Sequence, residues 1–234
     1  MENNTLIAIE RLTKRYPIGG REFTALKDIN LTIDKGEFTG LVGPSGSGKT
    51  TLLNIIGALD DPTDGRTLVL GQDVKTLTHK QAAKLRSDHL GFIFQTYNLL
   101  PVYTVFENVE FPLLLLGMSD SERRQAVMQA LESVGLLEKE KSKPTQLSGG
   151  ESQRVAIARA MVKKPKIVLA DEPTANLDAD NSYNILKMMV RLNQDLQTTF
   201  LFATHDEKVI GYLRRKISLR DGRVTNDMQT TPQT

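Results

Sequence analysis

Residues 43–50, Gly-Pro-Ser-Gly-Ser-Gly-Lys-Thr, combine three glycines with a lysine and a terminal hydroxyl. The spacing fits the phosphate-binding pattern G-x-x-x-x-G-K-[S/T] and lies between a short apolar run and a stretch with helical spacing. In such a loop backbone N–H groups turn toward phosphate oxygens, the lysine reaches the β- and γ-phosphates, and the hydroxyl holds Mg²⁺. We predict a nucleoside triphosphate site formed by Gly43, Ser45, Gly46, Ser47, Gly48, Lys49, Thr50 and Thr51.

A second chemical signal is an acidic pair after an apolar run. Asp171 and Glu172 directly follow residues 167–170, Ile-Val-Leu-Ala, which are typical of a buried strand. One carboxylate there could order Mg²⁺, and the next could accept a proton from an attacking water or orient it. Taken alone, such a pair is more often the start of a loop. Beside a phosphate loop it favours a hydrolytic site that uses Mg²⁺ with the nucleotide.

Residues 147–151, Leu-Ser-Gly-Gly-Glu, place two glycines where a helix begins. One interpretation is an ordinary loop with Ser148 as the helix cap. The other is that Ser148, Gly149 and Gly150 leave backbone N–H groups bare, at the positive end of the helix, for a close anion. The phosphate loop already surrounds the chain's own phosphates, so this second anion site implies the nucleotide of a second copy. We therefore predict a head-to-tail homodimer with two-fold symmetry.

Strands and helices alternate around these motifs. Apolar patterning predicts helices after residue 50, across 103–162 and over 185–196. It predicts strands at 6–16, 25–33, 38–42, 67–70, 91–94, 167–170, 200–203 and 217–219. This alternation indicates an α/β domain with a mostly parallel central sheet, in which the helical middle is an insertion. The polar tail, 226–234, is predicted to be frayed.

Composition excludes several classes of protein. The 234 residues suffice for one domain, or for one domain with a subdomain, and the net charge of +2 gives no reason to expect a nucleic-acid partner. Without cysteine there are no disulfides and no thiolate zinc sites. The longest apolar run, 113–116, is far shorter than the roughly 20 residues that span a bilayer. A guanine-reading N-K-x-D segment is absent, and no arginine-rich lid of a small-molecule kinase stands out.

Over nearly its whole length the chain resembles the ATP-binding cassette family. The resemblance rests on motifs in the family's order: 43–50, Gln95 after Gly-Phe-Ile-Phe, 147–160, 167–174, 176–178 and 204–206. It implies a P-loop NTPase core of the RecA-like kind with a mostly parallel sheet, an antiparallel β subdomain and an inserted α-helical subdomain. The core with its β subdomain would comprise about 1–95 and 163–225, and the helical subdomain about 96–162.

The resemblance also implies roles for single residues. Gln95 would contact Mg²⁺ and the attacking water, and would pass the state of the nucleotide to the helical subdomain. Asp178 would lie across the dimer interface, and His205 would hydrogen-bond the γ-phosphate and hold the geometry of the water and Glu172. Tyr16 would stack on adenine, although an ordinary core or loop tyrosine remains an alternative. The implied catalytic set is Glu172, His205, Gln95 and Lys49, with Thr50, Gln95 and Asp171 around the metal.

A separate permease partner follows from the family, because the chain itself shows no membrane span. The interval from Gln95 to Leu147 is too short for the coiled-coil or zinc-bearing arms of DNA-repair members. Residues 85–115 look like the subgroup of lipoprotein-releasing complexes, macrolide-type exporters and cell-division complexes. Their permeases have few spans and a large extracytoplasmic domain, so we expect a peripheral position on the cytoplasmic face of the membrane. The runs at 151–162 and 175–180 look most like lipoprotein-releasing ATPases; macrolide or peptide export and a non-transporting role in cell-division regulation are the alternatives.

An apolar and aromatic cluster follows Gln95. One interpretation is that these residues form the helical subdomain's own core. The other is that some line a groove for a cytoplasmic helix of the permease. The members are Tyr97, Leu99, Leu100, Val102, Tyr103 and Phe106.

Overall fold

The computed structural model describes residues 4–231 and contains two sheets with helices around them. The strands are β1 (Thr5–Ile18), β2 (Arg21–Asp34), β3 (Phe38–Val42), β4 (Asp64–Val69), β5 (Gln72–Asp73), β6 (Leu90–Ile93), β7 (Ile167–Asp171), β8 (Thr199–Thr204), β9 (Arg215–Arg220) and β10 (Arg223–Gln229). The α-helices are α1 (Lys49–Ile56), α2 (His79–His89), α3 (Val105–Glu110), α4 (Asp120–Ser133), α5 (Gly149–Met161), α6 (Ala179–Leu196) and α7 (Glu207–Tyr212). Short 3₁₀ helices cover Val74–Thr76, Phe111–Leu116, Leu137–Lys139 and Pro144–Gln146.

The larger sheet has six strands in the order β10-β9-β3-β8-β7-β6. Its strands run parallel except β10, which pairs antiparallel with β9 at the edge. Three fully buried phenylalanines mark its centre: the ring of Phe38 lies 4.7 Å from that of Phe202 and 5.6 Å from that of Phe200, centroid to centroid. The predicted α/β fold with a mostly parallel sheet is confirmed.

The smaller sheet is antiparallel, in the order β2-β1-β4-β5. Its long β1–β2 pair extends over most of both strands, with register shifts that let the ribbon bend. Isoleucines and leucines of this sheet pack with α1 into one fully or nearly fully buried cluster, which also contains Leu41 of β3 and Leu201 of β8. The antiparallel sheet is therefore anchored beside the start of α1, where the phosphate loop ends.

Helices fill the segment between β6 and β7. Residues of α3, α4 and α5 share a second buried cluster with Phe38, Phe200 and Phe202, so this helical region packs against the larger sheet. Short α3 and longer α4 and α5 each begin with a reciprocal capping box, at Thr104, Ser119 and Ser148. Among residues 4–231, no helix combines the length and the apolar character that crossing a membrane requires.

The tail differs from the prediction of a frayed end from residue 226. Backbone pairing continues β10 through Gln229, with Asp227 opposite Ile217. The guanidinium of Arg215 also donates to both carboxylate oxygens of Asp227, at 2.8 and 2.7 Å. Most side chains of β10 are exposed, so the strand has no apolar alternation for a pattern to detect. The rest of the predicted frayed segment, 232–234, lies outside the described residues.

Candidate nucleotide-binding site

The predicted phosphate, metal and hydrolytic residues follow the carboxyl ends of four adjacent parallel strands. The phosphate loop follows β3, His205 follows β8, Asp171 ends β7 and Gln95 comes shortly after β6. Ligands of open α/β sheets bind at this edge. A cavity of about 450 Å³ opens there, lined by Phe23, Ala25, Ser45, Gly46, Gly48, Lys49, Thr50, Thr51, Gln95, Asp171, Glu172 and His205.

The phosphate loop is held in a shape that only glycine permits at two places. Gly46 and Gly48 have φ of 78° and 104°, in the left-handed region that strains other residues. The ammonium of Lys49 donates to the carbonyls of Gly43 and Pro44, at 2.7 and 3.0 Å, and is nearly buried. Lys49 therefore braces the loop around the space that phosphate would fill. Gly43 and Ser47 support the loop and do not line the cavity.

The candidate metal ligands Thr50 and Asp171 are already in contact. The Thr50 hydroxyl donates to Asp171 Oδ2 at 3.0 Å. Burial raises the pKa of the Asp171 carboxyl, and the negative charge of Glu172 raises it further, while the Thr50 hydrogen bond opposes both. A hydroxyl and a carboxylate are the hard oxygen donors that Mg²⁺ accepts together with waters. The donor set thus fits Mg²⁺ beside a bound triphosphate.

Glu172 lines the cavity and has a strained backbone conformation. Its φ is 45°, uncommon for a residue with a side chain, and its N–H donates to the carbonyl of Ala203 at 2.9 Å. Its carboxylate accepts from the Thr204 hydroxyl at 3.1 Å and lies 2.6 Å from His205 Nδ1. Several contacts therefore fix the orientation of the Glu172 carboxylate, and the carboxylate in turn positions the exposed His205 ring.

Tyr16 lies beside the cavity and is absent from its lining. Its hydroxyl donates to Asp60 Oδ2 at 2.6 Å, and Asp60 Oδ1 accepts from Lys14 Nζ at 2.5 Å. The Lys14 ammonium also lies 4.8 Å from the centre of the tyrosine ring. Burial, with the Asp60 hydrogen bond and charge, raises the pKa of Tyr16 to about 12. Tyr16 is thus a fixed, neutral ring; sequence reasoning missed Asp60, which is far away in the chain.

Ser148, Gly149, Gly150 and Asp178 lie outside the cavity and form a second cluster. Ser148 caps α5, where its hydroxyl accepts from the N–H of Glu151 at 3.2 Å. Asp178 caps α6 and accepts from both the backbone N–H and the side-chain amide of Asn181, each at 2.8 Å. Asn181 packs so closely on Gly150 that an added Cβ there would lie 2.5 Å from its Oδ1. Asn181 joins the two motifs, and no sequence pattern indicated it.

The loop after Gln95 is tied to α5 and to the segment after Glu172. The guanidinium of Arg159 donates to the carbonyls of Tyr97 and Asn98, at 2.6 and 2.5 Å. Asn176 donates through its side-chain amide to the Gln95 carbonyl, at 2.8 Å. The two residues that Arg159 contacts both have positive φ, 59° for Tyr97 and 49° for Asn98, so Arg159 stabilises a strained turn.

The cluster after Gln95 divides between core and surface. Leu99 and Phe106 pack against the buried helical cluster, as a subdomain core requires. Val102 is 72% exposed and Tyr103 39% exposed, although both are large and apolar or aromatic. A groove of about 370 Å³ lies nearby between the larger sheet and the helices. Its lining includes Phe92, Phe94, Leu100, Phe111, Arg159 and Lys163.

Comparison with known proteins decides which family has this arrangement. Residues 26–175 match the family described as ABC transporter. This range contains the phosphate loop, the glycine pair at the start of α5 and the acidic pair at the end of β7. The chain belongs to the ABC transporter family. It carries the family's ATPase domain, whose fold accounts for the mixed parallel and antiparallel sheets and the helical region.

Individual ABC proteins are similar over nearly the whole chain. The Macrolide export ATP-binding/permease protein MacB of Burkholderia pseudomallei is 42% identical over 95% of this chain, which spans about a third (34%) of that relative's length. The ABC transporter ATP-binding protein YtrE of Bacillus subtilis is 44% identical, over 93% of this chain and 96% of YtrE.

A solved ABC structure has the same fold. It is the dimeric post-hydrolysis state of the ATP-binding cassette MJ0796 bound to ADP and Pi, with a TM-score of 0.89 and 41% identity. The alignment covers 97% of this chain and all of that one.

Proposed function

We propose that this chain is the ATP-hydrolysing subunit of an ABC transporter, that it dimerises head to tail over two Mg-ATP, and that it drives a separate membrane permease. The observation that carries the proposal is the single cavity edge shared by the phosphate loop, the acidic pair, Gln95 and His205. These are the parts that hold a triphosphate and activate water.

ATP binding uses charges already placed in the cavity. Phosphate oxygens would take the N–H groups of residues 45–51 and replace the carbonyls that Lys49 now contacts. Thr50, Asp171 and Gln95 would hold Mg²⁺, which when bound neutralises charge that develops on the phosphates. The fixed ring of Tyr16 would contact the base from the side of β1.

Hydrolysis would use Glu172 as the group that takes the proton of the attacking water. Its carboxylate is pinned by the Thr204 hydroxyl and by His205, so orienting a water costs little further reorganisation. His205 would turn its other ring nitrogen to the γ-phosphate while Nδ1 remains on Glu172. Gln95, on the loop that Arg159 and Asn176 hold, would sense the γ-phosphate and move that loop.

Dimerisation would complete each site with Ser148, Gly149, Gly150 and Asp178 of the other copy. Ser148 and Gly149 are exposed, whereas Gly150 is buried and the N–H of Glu151 already donates to the Ser148 hydroxyl. In the first turn of α5, the N–H of Gly149 is therefore the group that would meet a γ-phosphate directly. The dimeric MJ0796 structure supports this arrangement, since its chain aligns with this one along its full length. ATP would then favour the closed dimer only by its higher affinity for that state, and hydrolysis would let the dimer open.

The permease would dock on the groove beside the loop after Gln95. Exposed Val102 and Tyr103 would extend the groove's apolar surface, since the Tyr103 ring lies 6.5 Å from that of Phe111, which lines it. The cations Arg159 and Lys163 also line the groove. A short cytoplasmic helix with an apolar face and a carboxylate is complementary to both features. Such docking would hold the chain peripherally at the cytoplasmic face of the membrane.

Among the specific transport functions, we favour macrolide-type export, because relatives named MacB match 95% of this chain. Lipoprotein release and cell-division regulation are the other functions proposed from the same subgroup, whose permeases have few spans and a large extracytoplasmic domain. The discriminating experiment is affinity capture of the tagged chain from detergent-solubilised native membranes, followed by mass spectrometry. A few-span permease supports the proposal, and the type of its extracytoplasmic domain separates the three functions. Recovery of soluble proteins or nucleic acid alone contradicts the transport role.

A further inference from the structure

Phe23 is a large aromatic side chain left open to solvent beside the phosphate loop. It lies near the start of β2, is 53% exposed, and lines the nucleotide cavity together with Ala25 and Thr51. Neither the phosphate chemistry nor the hydrolytic step uses it. An exposed phenyl ring at the mouth of a polar cavity has a natural partner in the flat, apolar face of a nucleobase.

The strand register places Phe23 beside Tyr16. The two residues are direct partners in the antiparallel β1–β2 pair. Side chains of directly opposed residues project from the same face of a sheet, with Cβ atoms about 4.5–5.5 Å apart. Two aromatic side chains therefore project from the same face of the β1–β2 hairpin, and one of them, Phe23, lines the cavity.

The two rings differ in freedom. Tyr16 is tied by its hydroxyl to Asp60, and Lys14 lies against its ring. Phe23 has no polar atom to anchor it, and more than half of its surface is open. A base could thus rest on a fixed ring and be covered further by a ring that adjusts to it.

We propose that Phe23 is a second base-contacting residue of the ATP site, which with Tyr16 forms an aromatic surface wide enough for a purine. A purine has two fused rings and would contact both side chains, whereas a single-ring pyrimidine would reach only one. Phe23 thereby favours purine over pyrimidine nucleotides. This inference rests on the proposed nucleotide site.

The test compares ligands with and without a base. In Phe23→Ala, we expect ATP to bind about tenfold more weakly, a loss of about 1.4 kcal/mol. CTP should lose less than about twofold, and Mg-tripolyphosphate, which has no base, should bind as before. Ile18→Ala is the matched control, because Ile18 lies on the same hairpin, is 60% exposed and does not line the cavity. It should bind all three ligands as the unmodified chain does.

A fluorescence measurement gives an independent readout. The chain contains no tryptophan, so Phe23→Trp creates a single reporter. Its emission should change with ATP and remain constant with Mg-tripolyphosphate. Unchanged ATP affinity in Phe23→Ala overturns the inference, as does an equal loss for all three ligands, which would indicate a structural role. If the unmodified chain bound neither ATP nor tripolyphosphate, the proposed function itself would fail.

Discussion

Gly150→Ala offers a direct test of how the start of α5 is built. An ideal Cβ at this position would lie 2.5 Å from Asn181 Oδ1 and 2.8 Å from its Cγ, far inside contact distance. Asn181 cannot move freely, because its backbone N–H and its side-chain amide both bind Asp178 at 2.8 Å. The new methyl must therefore displace Asn181 from Asp178 or shift α5 against α6.

The magnitude follows from two opposing effects. Replacing Gly by Ala inside a helix stabilises by about 0.5–1 kcal/mol. Overpacking at a contact of this kind costs about 1–3 kcal/mol, and the lost hydrogen bond of Asn181 adds about 1 kcal/mol. We expect a net destabilisation of about 1–3.5 kcal/mol, which for a chain of this size lowers Tm by roughly 2–14 °C. Thermal unfolding followed by circular dichroism measures it.

Two further variants separate the clash from the trans contact. A Cβ at Gly149 would lie 3.2 Å from the Tyr97 hydroxyl and at ordinary contact distance, 3.7 Å, from its two other neighbours. The Tm of Gly149→Ala should therefore stay within about 2 °C of the unmodified chain while its ATP-dependent dimerisation falls. In an Asn181→Ala background the clashing atoms are gone, and Gly150→Ala should then be neutral or stabilising. A Gly150→Ala chain as stable as the original, or equally destabilised with and without Asn181, would refute the packing argument.

Three other changes probe the site and its supports. Glu172→Gln should keep ATP binding and accumulate an ATP-bound dimer in size-exclusion chromatography, because proton transfer from water is lost; a monomer at saturating Mg-ATP contradicts the closed dimer. Lys49→Ala should weaken ATP binding about 10- to 100-fold, the loss of one charge-assisted hydrogen bond of about 1.5–3 kcal/mol, measured by calorimetry. Asp60→Asn tests the support of Tyr16. Burial alone would raise the pKa of the Asp60 carboxyl, but hydrogen bonds from Lys14 and Tyr16 hold this pKa below its usual range. The stability that the ionised Asp60 contributes is complete above about pH 4 and is lost as pH falls through the lowered pKa. In urea unfolding, the loss of unfolding free energy caused by Asp60→Asn should therefore shrink in acid. A loss that does not depend on pH contradicts the assignment.

The strands with clear alternation could be predicted, and so could the helices with a broad apolar stripe. All eight predicted strands exist, with edges shifted by a few residues, and α1 and α6 lie where the spacing placed them. Helix α2 was missed because Leu85 is its only buried residue, which leaves almost no periodicity. Its capping box at Thr78 was the one local signal available. Strand β10 was missed because pairing and an ion pair hold it, and both depend on β9.

For the candidate site as well, local sequence patterns predicted some residues and missed others. The loop around Lys49 and the acidic pair are contiguous in sequence, so the chemistry of their residue types could be inferred from spacing. Phe23, Asp60 and Asn181 could not, because each acts through a neighbour that is remote in the chain or on another strand: Tyr16 for the first two and Gly150 for Asn181. Side-chain contacts of this kind follow from strand register and helix packing, which no local pattern encodes.

The two hydrogen bonds of the Arg159 guanidinium connect the proposed ATP contact to the proposed permease contact. Arg159 belongs to α5, whose first turn would touch the partner's ATP, and it grips the loop where the permease would dock. One rigid connection therefore serves two ligands. Linkage requires that if ATP changes the affinity of this chain for its permease by some factor, the permease changes the affinity for ATP by the same factor. A cargo-loaded permease that prefers one position of this loop would thereby set how tightly the cassette holds nucleotide, with the Arg159 hydrogen bonds as one of the links.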